Sequence, residues 1–171
     1  HSIRRRQRQM CIRDRTDVNP WMLFSSIVFL LFLSAFFSGV ETAMMSLNRY
    51  RLKYLVKEND KGAIRADKLL KRPDRLLGVI LIGNNFVNIL AASLTTVLCL
   101  NLFGDSGVVI GSIVLTLIIL IFAEITPKTF AALNSEKVAL PASLILKYLQ
   151  KILRPLVLFV NFFSNFFMRL L

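Results

Sequence analysis

Three clusters of polar residues stand inside otherwise apolar stretches of this chain. They are Ser38-Gly39 with Glu41-Thr42, Gly83-Asn84-Asn85 with Asn88, and Ala123-Glu124-Ile125-Thr126-Pro127-Lys128. Their shared chemistry is hard oxygen: a hydroxyl from Ser38, amide oxygens from Asn84 and Asn88, a carboxylate from Glu124. Asn84 and Asn88 are four apart and share one face of a helix, while Asn85 faces elsewhere and is expected to pack or support. Pro127 has no N–H, so the carbonyl of Ala123 loses its usual helical partner. Ser38-Gly39 can kink or unwind a helix and free further carbonyls. Broken helices that aim free carbonyls at an ion are a recurring transporter device. Glu41, three residues beyond Ser38, is placed to line a mouth or to pair with a base. Oxygen donors with one or two carboxylates suit Mg²⁺ or Ca²⁺ rather than zinc or copper. The residue types leave the choice among Mg²⁺, Ca²⁺ and Na⁺ open.

Each cluster also has a purely structural reading. Small residues permit close helix contacts, and asparagine can bond between helices. Glu124 can pair with Lys128 at helical spacing. Against this, a carboxylate within a span costs at least about 2.5 kcal/mol, which makes such a residue a functional candidate.

The elements that must position these residues are apolar runs without charge: Trp21–Phe37, Leu76–Phe103 and Gly107–Ala123. About 18 such residues suffice to span a bilayer. The expected fold is therefore an all-α integral membrane protein, with three transmembrane helices plus juxtamembrane or re-entrant amphipathic helices. Asn19-Pro20 starts the first span, which runs to about Phe37. Glu41–Leu70 reads as a mostly helical cytoplasmic segment, apolar at Leu52, Leu55 and Val56 and basic on its other face. Asp74 after Pro73 reads as a new helix cap. The second span, Leu76 to about Phe103, is tilted or locally broken, with Gly83-Asn84-Asn85 the expected break. Gly104-Asp105-Ser106-Gly107 is a turn, and the third span runs from about Val108 to Ala123. Val138–Leu171 reads either as a fourth span or, the preferred reading, as two amphipathic or re-entrant pieces split near Arg154-Pro155.

The chain has 171 residues, is 55% hydrophobic and carries a net charge of +12. Much of that charge lies in Arg49–Arg75, with ten basic residues against four acidic ones. Between two spans this follows the positive-inside rule rather than nucleic-acid binding, so the expected orientation puts the N-terminus outside and Glu124–Lys137 inside. A signal peptide does not fit the first run, because no small-residue cleavage site follows it. Cys11 and Cys99 make neither a disulfide framework nor a thiolate site, and His1 is the only histidine. No HExxH, GxSxG or in-span aspartate pair is present, so an enzyme is not expected. Residues 1–17 form an arginine-rich, aperiodic tail set aside as non-native or disordered. The missing initial Met and the apolar run at Leu171 fit a segment of a longer protein.

Across the same positions the sequence resembles the transmembrane domain of the CNNM/CorB/CorC magnesium transporters, most closely the bacterial CorB-like proteins. The likeness rests on Phe37-Ser38-Gly39-Val40-Glu41-Thr42-Ala43, Asn48-Arg49, Lys71-Arg72-Pro73-Asp74-Arg75, Gly83-Asn84-Asn85-Phe86-Val87-Asn88-Ile89 and Ala123-Glu124-Ile125-Thr126-Pro127-Lys128, in order and spacing. It covers about Trp21 to Leu171, so residues 18–171 are expected to form one such domain. Val40 departs from the pattern, where a small polar residue is common. The resemblance implies a homodimer in the bacterial inner membrane and Mg²⁺ efflux coupled to Na⁺ entry from an inward-facing site. It puts the ion ligands at Ser38, the Asn84–Asn88 face and Glu124; the reading of the residues adds the Ala123 carbonyl, with Gly39, Glu41, Gly83, Asn85, Pro127 and Lys128 in support. A cytoplasmic CBS-domain pair is expected downstream. The alternative function is a non-transporting membrane anchor or Mg²⁺ sensor.

Overall fold

In the computed structural model, residues 19–156 and 159–160 are described, and the regular elements among them are all helical. The first, α1, spans Pro20–Ser46. The Asn19 side chain accepts from the Trp21 N–H at 3.1 Å, and Pro20 takes the first helical position, as its fixed φ favours. The helix passes unbroken through Ser38-Gly39, where a break was expected. Both residues are buried, and packing holds them: Pro127 Cβ lies 3.5 Å from where a Gly39 Cβ would stand. Glu41–Ser46 therefore belongs to α1, not to the segment that follows.

That segment is two short helices, α2 (Arg49–Lys57) and α3 (Lys61–Leu70). Asn48 caps α2 by accepting from the Tyr50 and Arg51 N–H groups. Asn59, at φ 61°, makes the left-handed turn that ends it. Asp60 then caps α3, accepting from the Ala63 N–H at 2.7 Å.

Helix α4 covers Pro73–Phe103. Asp74 lies in its first turn and is not the cap; that position falls to Arg72, which makes no side-chain capping bond. The expected break at Gly83-Asn84-Asn85 does not occur either. Gly83 instead makes room for a neighbour: a Cβ there would stand 2.7 Å from the Phe37 ring. The helix is about 46 Å long at 1.5 Å per residue, more than a perpendicular crossing needs, so it tilts or projects.

Gly104, at φ +69°, turns the chain into α5 (Asp105–Ile118). The helix continues through a wider π-helical stretch, Ile119–Ile125, into α6 (Thr126–Leu133). The third apolar helix thus runs Asp105–Leu133, past the end expected at Ala123. Pro127 is the physical reason. It can neither donate to the Ala123 carbonyl nor sit in a tight α-turn against it, and the turn widens: the Thr126 N–H reaches back five residues to Ile121. The last long element, α7, spans Ser135–Ile152 and absorbs Pro141. It ends just before Arg154-Pro155, at the expected split. The 1–17 tail and most of the expected second piece lie outside the described residues.

Helix α1 is the centre of the bundle. It packs most extensively against α4, and also against the π stretch, α6 and α7. Helix α3 lies on α7, where Ala63, Ala66, Ala139 and Ala142 are all buried and let the backbones approach. Ser143 donates to the Leu140 carbonyl at 2.6 Å and accepts from the Arg65 Nε at 3.3 Å. Arg51 and Glu136 pair at 2.7 Å, tying α2 to α7. Phe29, Phe32, Phe86, Ile89, Ile113 and Phe122 point outward and exposed, a surface suited to lipid rather than to water. The protein is a multi-pass membrane protein with three helices long and apolar enough to cross a bilayer.

Candidate functional site

Two close contacts fix the level of Ser38 in the bundle. One residue before it, the Phe37 ring meets Gly83 of α4. One residue after it, Gly39 meets Pro127 of α6. The three polar clusters of the sequence are thereby drawn to one depth around α1, from three different elements.

Hydroxyl groups elsewhere in the spans bond their own helix. Ser26, Ser93, Thr95, Ser112 and Thr116 each donate to the carbonyl four residues earlier at 2.7–3.0 Å. This is the ordinary way to satisfy a hydroxyl in an apolar helix. Ser34 and Ser38 do not follow it. Ser34 Oγ reaches across to Asn88 Oδ1 at 2.7 Å and Asn84 Oδ1 at 3.2 Å. It has one proton, which the shorter contact takes, so the Asn84 amide oxygen keeps lone pairs for another partner. Ser38, one turn further along the same face, is fully buried, and its Oγ has no hydrogen-bond partner among the described residues. Its carbonyl accepts from Thr42 Oγ1 at 3.3 Å.

The third side comes from the widened turn. Ala123 is buried and Glu124 half-buried there. Glu124 does not pair with Lys128. Among the described residues the ion pairs are Arg51–Glu136 and Lys71–Asp67, both outside the spans. Glu41, Asn84, Asn88, Pro127 and Lys128 are half-buried. Asn85 is exposed, so it does not pack within the bundle as expected. No three Asp, Glu, His or Cys residues cluster among the described residues. The oxygens of the three clusters are mostly neutral, with Glu41 and Glu124 the carboxylates among them.

Sequence reasoning missed Ser34, the residue that ties Asn84 to Asn88. Its signal was the spacing of four to Ser38. That spacing carries information only if α1 runs unbroken, and the expected break concealed it.

The model of the cyclin M transmembrane N-terminal domain matches residues 26–171. The chain belongs to the cyclin M (CNNM) transmembrane-domain family. It is 51% identical over 139 residues to the UPF0053 inner membrane protein YfjD of Escherichia coli, covering 81% of this chain and 32% of that protein. It is 30% identical over 133 residues to the metal transporter cnnm-4 of Caenorhabditis elegans, covering 74% and 28%. It is 28% identical over 158 residues to a polyamine export protein of Haemophilus influenzae, covering 85% and 37%. The chain spans about a third of the length of YfjD and of a UPF0053 protein of Haemophilus influenzae. Within this cyclin M domain, the matched stretch includes all three polar clusters.

Proposed function

We propose that the protein moves cations across the bacterial inner membrane, with Mg²⁺ as substrate, and does no enzymatic chemistry. The observation that carries this reading is Ser38: a fully buried hydroxyl without a partner, next to an asparagine pair bridged by Ser34. A buried orphan of this kind costs about 1–3 kcal/mol and asks for a ligand. Ser38, Asn84, Asn88, Glu124 and the Ala123 carbonyl would hold the ion. Gly39, Gly83 and Pro127 would set the helix contacts, and Glu41 and Lys128 would stand nearby. One carboxylate with neutral oxygens suits an ion that keeps part of its water, as Mg²⁺ does. The metal-transporter and polyamine-export names of two relatives support cation transport as the class. Na⁺ as the coupling ion, a homodimer and a downstream CBS-domain pair complete the proposal.

The test is Mg²⁺ binding and flux in proteoliposomes, for the wild type, Ser38→Ala and Glu124→Gln. Both variants should fold, lose at least tenfold in Mg²⁺ affinity and lose flux. Wild-type binding without flux would instead establish the sensor reading. Flux of spermidine but not Mg²⁺ would overturn the choice of substrate.

A further inference from the structure

Away from the polar cluster, at the corner where α3 gives way to α4, lies a cleft of about 290 Å³. Its walls carry two rows of cations. Lys68, Arg72 and Arg75 come from the α3–α4 corner, and Lys147, Lys151 and Arg154 from the end of α7. The corner between α3 and α4 and the end of α7 bring all six side chains to the walls of one cleft. Buried Val79 forms part of the floor, and Gln150 adds an uncharged polar group. Among the described residues no acidic side chain lines the cleft. None of the six cations makes an ion pair among the described residues, although Lys71, between them in sequence, pairs with Asp67 at 3.3 Å.

The first turn of α4 adds to this. Arg72 occupies its cap position without a side-chain capping bond, so backbone N–H groups at that helix start have no side-chain acceptor. Asp74, in the same turn, is exposed and does not line the cleft. Six cations gathered around one cleft repel one another unless an anion joins them, and arginine forks suit phosphate oxygens.

The membrane selects the anion. Arg75 and Val79 belong to the helix that enters the bilayer, so the cleft opens where that helix meets the headgroup layer. Basic pockets between helices at this level bind anionic headgroups. We infer that the cleft formed by Lys68, Arg72, Arg75, Lys147, Lys151 and Arg154 is a binding site for the phosphate headgroup of an anionic phospholipid. The bound lipid staples α7 to the α3–α4 corner, holding the juxtamembrane helices against the spans.

The inference does not depend on the transported ion, and its test needs none. The protein is stripped of lipid in a neutral detergent, and its melting temperature is followed with phosphatidylglycerol, phosphatidylcholine or inorganic phosphate. Phosphatidylglycerol should raise the wild-type melting temperature by several degrees, and phosphatidylcholine should not. The variant R72Q/R75Q/K151Q should lose that rise. K53Q/K57Q/K61Q, which removes as much charge outside the cleft, should keep it. Should the triple variant fail to fold, the single changes K147Q and R154Q, at exposed positions, should each reduce the rise. An equal rise in both triple variants would overturn the site. A rise with inorganic phosphate as large as with phosphatidylglycerol would overturn the lipid in favour of a soluble phosphate.

Discussion

Ser38 carries its hydroxyl at a cost of about 1–3 kcal/mol, because nothing among the described residues answers it. Replacing it with Ala removes the orphan and leaves a group that fits the space. S38A should therefore melt at the same temperature as the wild type or higher, with about 1 kcal/mol gained, while Mg²⁺ binding falls. A structural serine behaves in the opposite sense, and S34A supplies the comparison. Ser34 donates to Asn88 from α1 to α4 and stands 3.2 Å from the Asn84 amide oxygen. Its loss should destabilise the protein by about 1 kcal/mol and loosen both amides. Thermal melts of the two variants side by side check the contrast. A large stability loss in S38A would make Ser38 a packing residue. The donor chemistry was legible in the sequence, because Ser, Asn and Glu in an apolar run are conspicuous. The partner of the asparagines was not, because a serine inside a span most often bonds its own helix.

Two expected helix breaks proved to be helix contacts, and at the scale of the element the difference is measurable. A Cβ at position 39 would meet Pro127 at ordinary van der Waals distance. At position 83 it would press to 2.7 Å on the Phe37 ring, itself buried and packed edge-on against Phe36. G39A should thus be nearly neutral. G83A should cost about 1–3 kcal/mol, the usual range for overpacking, and thermal melts of the two variants check the difference. Glycine in a sequence looks the same whether it lets a chain bend or lets a neighbour come close, and only the facing helix decides. Pro127 is the reverse case. Its missing N–H was legible, but not that the helix would widen and continue. P127A restores a donor to the Ala123 carbonyl and removes the reason for the π turn. The stretch should then tighten to α geometry and turn Glu124 away from its present direction. Stability should hold or rise while Mg²⁺ affinity drops. Unchanged affinity would mean that the widened turn plays no part in ligation.

At the scale of the whole molecule, charge is sorted to one end. From Asn19 to Leu156 every Lys and Arg lies in Arg49–Arg75 or Lys128–Arg154, and none lies in the turn at Gly104. The Arg51–Glu136 pair shows that these two segments meet at the same end of the bundle. That pair is too exposed to contribute more than about 1 kcal/mol to stability, so its value here is as a marker of proximity. By the positive-inside rule an end this basic is expected in the cytoplasm, with the start of α1 and the Gly104 turn outside. Asn84 lies about 14 Å along α4 from Arg75, roughly half the hydrocarbon thickness in from the basic end. Orientation is tested with single cysteines in a chain whose Cys11 and Cys99 have been replaced. A membrane-impermeant maleimide should label Ser106→Cys in intact spheroplasts. It should reach Lys57→Cys and Lys137→Cys only after permeabilisation. Labelling in the reverse pattern would place the basic end outside, and an ion leaving the cell would then approach the polar cluster from the turn at Gly104.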